Sequence, residues 1–128
     1  MKKASIVLSL FFVSLALSSF TGVEDEIATA LKTGNAKGLS KYFSSTIDLS
    51  VLDEEDVYSK AQAELILKNF FTRHSPKSFK IMHRGTSKLG LKYTIGTLET
   101  SKGTYRVTFY VKKTGSRDFL QQLRIDEE

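Results

Sequence analysis

A chain of 128 residues with 41% hydrophobic side chains, a single proline and no cysteine has room for one domain with a proper core and not for two. The lack of cysteine excludes disulfides, zinc–thiolate sites, cysteine nucleophiles and lipid attachment through a cysteine. The formal charge is +5, but two of the cations, Lys2 and Lys3, stand at the extreme N-terminus.

Those two lysines precede an apolar run, Ile6 to Leu17, broken only by Ser9 and Ser14, and small residues follow at Ala16, Ser18 and Ser19. Basic, then apolar, then small is the pattern of an export signal cut by signal peptidase. A membrane span needs about 20 apolar residues, and Ser18, Ser19 and Thr21 arrive sooner. The expectation is a signal peptide over residues 1–22 and a single domain over 23–128, exported to the periplasm or secreted, soluble, and neither a lipoprotein nor held by an integral anchor. Without Lys2 and Lys3 the 19 basic side chains become 17 against 14 acidic, and the charge falls to +3.

In the stretch VEDEIATAL, Val23, Ile27, Ala30 and Leu31 share one helical face, with Glu24, Asp25 and Glu26 at the dipole's positive end. TGNAKG stops that helix, and Asn35 caps a short second one running to Tyr42 or Phe43. Thr46 to Leu52 alternates as a half-buried strand, the acidic turn DEED follows, and Val57 and Tyr58 suit a short further strand. Ser59 and Gln62 form a capping box at the head of the main helix, whose stripe is Ala63, Ile66, Leu67, Phe70 and Phe71 and which ends before Pro76. Four strands complete the chain, Phe79–Arg84, Leu91–Thr100, Thr104–Lys113 and Asp118–Asp126, joined by short glycine-containing loops as an antiparallel meander.

Three-residue turns at Ser101-Lys102-Gly103 and Thr114-Gly115-Ser116 would pair odd-numbered residues with odd-numbered ones. That register puts Phe79, Ile81, His83, Tyr93, Ile95, Thr97, Tyr105, Val107, Phe109, Val111, Phe119, Gln121, Leu123 and Ile125 on the inner face. Lys80, Met82, Arg84, Lys92, Thr94, Leu98, Arg106, Thr108, Tyr110, Lys112, Leu120, Gln122 and Arg124 then face outward.

The order helix, helix, strand, short strand, long helix, four strands predicts an α+β fold, a two-layer cone with three helices packed on a bent, mainly antiparallel sheet. With VEDEIATALKTGNAKGLSKYF followed by IDLSVLDEEDVYSKAQAELILKNFF, the chain resembles the nuclear transport factor 2-like (cystatin-like) superfamily, and within it a small bacterial family of secreted, uncharacterised domains. The resemblance implies a fold and an address. The superfamily holds enzymes that place an acid or base inside the cone as well as binding and dimerising modules, and no enzyme motif of it matches here.

Buried polar groups need partners, so the polar inner-face residues His83, Tyr93, Thr97 and Gln121 are the candidates for a small-ligand pocket; the plainer alternative is that they bond to neighbouring backbone or reach solvent. His83 is the one candidate base, and with a tyrosine it would make a cofactor-independent acid–base enzyme. Asp48, Asp53, Glu54, Glu55 and Asp56 form an acidic cluster without the spacing of a calcium loop, and two histidines, His74 and His83, fall short of a three-ligand zinc site. No metal and no cofactor is expected. The basic outer face, with Arg106, Tyr110, Lys112 and Arg124, suits a homodimer or an envelope component; export, the small net charge and the lack of an RNA-binding signature argue against nucleic acid. Non-catalytic binding of a small ligand or partner protein is the leading expectation, and the His83 enzyme is the alternative.

Overall fold

The computed structural model describes residues 22–128; the expected signal peptide lies outside them apart from Gly22. Helix α1 (Val23–Thr33) begins with Glu24, Asp25 and Glu26 in its first turn and stops at Gly34, whose φ of 64° suits a residue without a Cβ. Helix α2 (Ala36–Ser40) is a single turn capped by Asn35, whose Oδ1 accepts from the Gly38 amide at 2.9 Å. It is shorter than the sequence suggests, because Phe43 already opens strand β1 (Phe43–Val51). The turn Leu52-Asp53 has positive φ at both residues, the type I′ geometry that returns the chain into β2 (Glu54–Ser59). The acidic run expected as a turn is therefore mostly strand. Helix α3 (Lys60–Arg73) carries the expected capping box between Ser59 and Gln62.

Strands β3 (Pro76–Thr86), β4 (Lys92–Thr100), β5 (Gly103–Thr114) and β6 (Arg117–Glu127) follow as a meander. They join the first hairpin into one six-stranded sheet of order β2-β1-β6-β5-β4-β3, in which only β1 and β6 run parallel. The three helices lie on one face. Ile27, Leu31, Leu39, Leu67, Phe70 and Phe71 from the helices meet Ile47, Leu49, Leu98, Phe109, Leu123 and Ile125 from the sheet in one core. This is the expected two-layer α+β domain, with aromatic side chains filling the space between its layers.

The register differs from the expected one in a way that decides which residues are available for function. Thr100 pairs with Gly103, so the β4–β5 turn is the two-residue Ser101-Lys102. Its geometry is held by the Thr100 hydroxyl, which donates to the Gly103 carbonyl at 2.8 Å and accepts from the Lys102 amide at 3.1 Å. An even-length turn reverses the parity of β4. Thr94, Gly96, Leu98 and Thr100 are buried against the helices, while Tyr93, Ile95 and Thr97 move to the outer face.

The β5–β6 turn is likewise two residues, Gly115-Ser116, with a positive φ at Gly115. Leu120 therefore faces inward, and Phe119 lies opposite Lys112 under the Arg117 guanidinium instead of in the core. A bulge at Gln121 then restores parity, so Leu123 and Ile125 are inner as expected, opposite Phe109 and Val107.

Candidate functional site

The helices cover one side of the sheet and leave the other open, and the strand pairing orders that open face into cross-strand rows. One row runs Val57, Asp48, Gln122, Tyr110, Tyr93, Gly85 from β2 to β3; the next runs Glu55, Ser50, Arg124, Thr108, Ile95, His83. A register shift between Ile81 and His83 brings His83 into this set, since Ile81 still pairs with the inner Gly96. Without that bulge His83 would face the helices, as its odd number suggests.

Three of these side chains form one aromatic group. His83 Nε2 and the Tyr93 hydroxyl are 3.2 Å apart, the His83 and Tyr93 rings are 5.7 Å apart centre to centre, and Tyr93 and Tyr110 are 5.9 Å apart. Tyr93 lies across Gly85 so closely that a Cβ there would meet its ring at 2.6 Å. Glycine at position 85 therefore lets the tyrosine lie flat on the sheet.

Of the ligand-site candidates, His83 and Tyr93 are thus brought together, but on the outer face and not in the cone. Thr97 is also outer, between Arg106 and Lys80. Gln121 is the exposed extra residue of the β6 bulge. The four do not converge on an inner pocket, and an acid–base pair of His83 and Tyr93 would work on an exposed surface, without the enclosure that makes such a pair effective. Arg106, Tyr110 and Arg124 stand on the outer face with Lys112 at its end.

The face is electrically divided. Asp48 and Glu55 mark its β1–β2 side, while Arg106, Lys80 and Lys112 mark the side toward β3–β5, where the acids are Glu99 on β4 and Asp126 opposite Arg106. Arg124 lies at the boundary, 3.4 Å from Glu55 and 3.6 Å from Asp126. Asp48 has its carboxyl pushed above the ordinary range, first by partial burial and then by the Glu55 carboxylate beside it, with Arg124 acting in the opposite sense. A carboxyl raised on folding supports stability below its unfolded pKa and loses that support as pH rises through the folded value. Asp48→Asn should therefore melt slightly higher than the parent at neutral pH, with the gap shrinking as pH falls through the carboxylate range. Thermal melts across pH check this, and equal melting temperatures at pH 7 would show that Asp48 carries no penalty.

Among the described residues no group of three His, Cys, Asp or Glu side chains is placed to hold a metal ion, and no helix is long and apolar enough to cross a membrane. An opening toward the layered core lies where α3 meets the β1–β2 hairpin, a cleft of about 310 Å3 lined by Leu49, Ile66 and Phe70 together with Glu54, Asn69 and His74. His74 stacks on Phe70 at 4.3 Å, and its Nδ1 lies 3.0 Å from the Phe70 carbonyl, to which it donates when protonated there. The sequence offers His74 only as a metal ligand, because it stands at a helix end outside any strand alternation.

A family model described as a domain of unknown function, DUF4783, matches residues 24–126. No curated protein matches the chain. Among solved structures, a DUF4783 family protein from Bacteroides uniformis is 30% identical with a TM-score of 0.77, over 84% of this chain and 98% of that one. One from Bacteroides ovatus is also 30% identical, with a TM-score of 0.75 over 80% of this chain and 93% of that one. A domain of unknown function with a cystatin-like fold from Nostoc punctiforme shares the fold at 13% identity, with a TM-score of 0.63 over 82% and 72% of the two chains. The helical pair, the capped α3 and the open sheet make a fold shared with nuclear transport factor 2-like and cystatin-like structures, and this chain belongs to the DUF4783 family.

Proposed function

We propose that this chain is an exported, non-catalytic binding domain that works as a homodimer joined through the open face of its sheet. The observation that carries the reading is the His83–Tyr93–Tyr110 group, three amphipathic rings side by side from the β3 edge to the middle of an uncovered face. Tyrosines held flat by their neighbours offer contact area at little cost in conformational entropy, which is why such residues anchor interfaces. The division of charge favours a second copy as the occupant. A twofold axis near Tyr110 lays the Asp48–Glu55 margin of one protomer over the Arg106–Lys80 margin of the other, so one patch serves both sides. Val57, 63% exposed, and Met82, 61% exposed, add apolar surface at the two edges. A stable dimer buries about 800 Å2 per partner, an area within reach of a six-stranded face.

Light scattering over a broad concentration range tests this. The expected result is a dimer that dissociates on dilution, sooner at high salt, and a Tyr110→Glu variant at least about thirtyfold weaker, as loss of a central anchor implies. A parent that stays monomeric throughout overturns the reading. If native mass spectrometry of that monomer retained a small molecule, the cleft beside α3 would become the better candidate for the binding site.

A further inference from the structure

The strand directions sort the charges of the molecule by end. Because β1 and β6 run parallel and all other neighbours antiparallel, one end of the sheet collects the starts of β1, β4 and β6 with the ends of β3 and β5. That end carries Lys41, Lys88, Lys92, Lys112, Lys113 and Arg117. Its acids are fewer: Glu24, Asp118, Asp25, which is paired with Arg84, and Glu26, which accepts a hydrogen bond from the Tyr42 hydroxyl. The opposite end holds the β1–β2 turn and the end of β6, with Asp53, Glu54, Glu127, Glu128 and Asp126, which is paired with Arg124, against Arg73, Lys77 and Lys102.

Two further observations pick out the basic end. The β3–β4 loop, residues 87–91, presents Leu89 at its tip, 88% exposed, the most exposed of the large hydrophobic side chains among the described residues. A Leu89 projecting among lysines has no packing role in this domain. The basic end is also where the domain joins the preceding chain, since Gly22, Glu24, Gly90, Lys92, Lys113 and Asp118 border one surface hollow. The residues before Gly22 include the apolar run Ile6–Leu17, and an apolar run of that kind is handled at the bilayer during export.

We propose that this basic end docks on an anionic lipid bilayer, with Leu89 entering the headgroup region, the lysines holding the phosphates around it, and the acidic end directed away from the surface. The chemistry is that of a peripheral contact, in which one apolar anchor and several cations act together and neither suffices alone. The charge asymmetry along the strands orients the domain before contact, because a negative surface attracts one end and repels the other. The dimer face lies along the flank of the sheet, so it stays free when the tip is down.

The test uses residues 22–128, which hold the whole described core and span the length shared with the solved family members. Sedimentation with phosphatidylglycerol–phosphatidylcholine vesicles should show binding that phosphatidylcholine vesicles alone do not support and that high salt removes. Reversal of three cations in Lys88→Glu/Lys92→Glu/Lys113→Glu should weaken partition on the order of a hundredfold, and Leu89→Ser should weaken it severalfold with no change in melting temperature. Binding unaffected by either variant overturns the proposal. So does equal binding of the Leu89→Ser variant and the parent together with tight binding to a soluble polyanion, which would assign the end to a polymer. Because lipid binding is read at concentrations where light scattering reports monomer or dimer separately, failure here leaves the sheet-face reading standing, and the reverse holds too.

Discussion

Replacing Phe109 with alanine is expected to remove a large part of the domain's stability, about 3–5 kcal/mol, through lost burial and the cavity left behind. Phe109 is 0% exposed at the middle of β5, opposite Leu123 on one side and Thr94 on the other. Its ring stands where the helices press on the sheet, and the strand carrying it is paired on both sides, with β4 along an unbroken ladder, so the gap cannot close cheaply. A domain of this size has a total stability of about 5–15 kcal/mol, and the melting temperature should fall by about 15–30 °C. Urea unfolding with an unchanged slope checks that the loss lies in the native core. Tyr110→Ala, one residue away on the opposite face, should cost far less as a monomer. A Phe109→Ala cost under about 1 kcal/mol would mean that the two faces of β5 are exchanged.

The contrast between Phe109 and Tyr110 also shows what could be read without a structure. From Tyr105 to Lys112 the inner residues of β5 are aromatic or aliphatic and, Tyr110 apart, the outer ones are plainly polar, so period-two alternation fixes both faces. The capping box at Ser59 and Gln62 and the Asn35 cap were readable for the same kind of reason, because each rests on contacts within four residues. Strand β4 gives no such contrast. Its two sets, Tyr93, Ile95, Thr97 and Thr94, Gly96, Leu98, carry similar apolar character, so the choice passed to the turn, where one residue more or less reverses the answer.

The displaced site residues follow from that one ambiguity and from two bulges. Tyr93 and Thr97 moved with β4, His83 moved because β3 shifts register after Ile81, and Gln121 is the extra residue of a shift in β6. Bulges depend on how a sheet bends over its helices, a property of the assembled layers rather than of any local run. The basic end was invisible for a related reason. Lys41, Lys88, Lys92, Lys113 and Arg117 are scattered along the chain, and only the directions of the strands gather them.

Gly96→Val is expected to destabilise the domain by about 3 kcal/mol, and it tests the β4 register directly. Gly96 is buried at the centre of the inner face, and the space a side chain would take is filled from the next strand. A Cβ added there would collide with the Phe79 ring and lie 2.7 Å from the Lys80 carbonyl oxygen. The ring can swing aside, but the carbonyl belongs to β3, which pairs with β4 along this stretch. Shortening Phe79 to leucine in the variant should therefore restore part of the loss and not all of it, a non-additivity that a double-mutant cycle measures. Ile95→Ala supplies the converse. With Ile95 half-buried on the outer face, its truncation should cost under about 1 kcal/mol, whereas a core isoleucine would cost about 2–5 kcal/mol. A mild Gly96→Val together with a severe Ile95→Ala would return Tyr93 and Thr97 to the cone, and with them the inner ligand pocket.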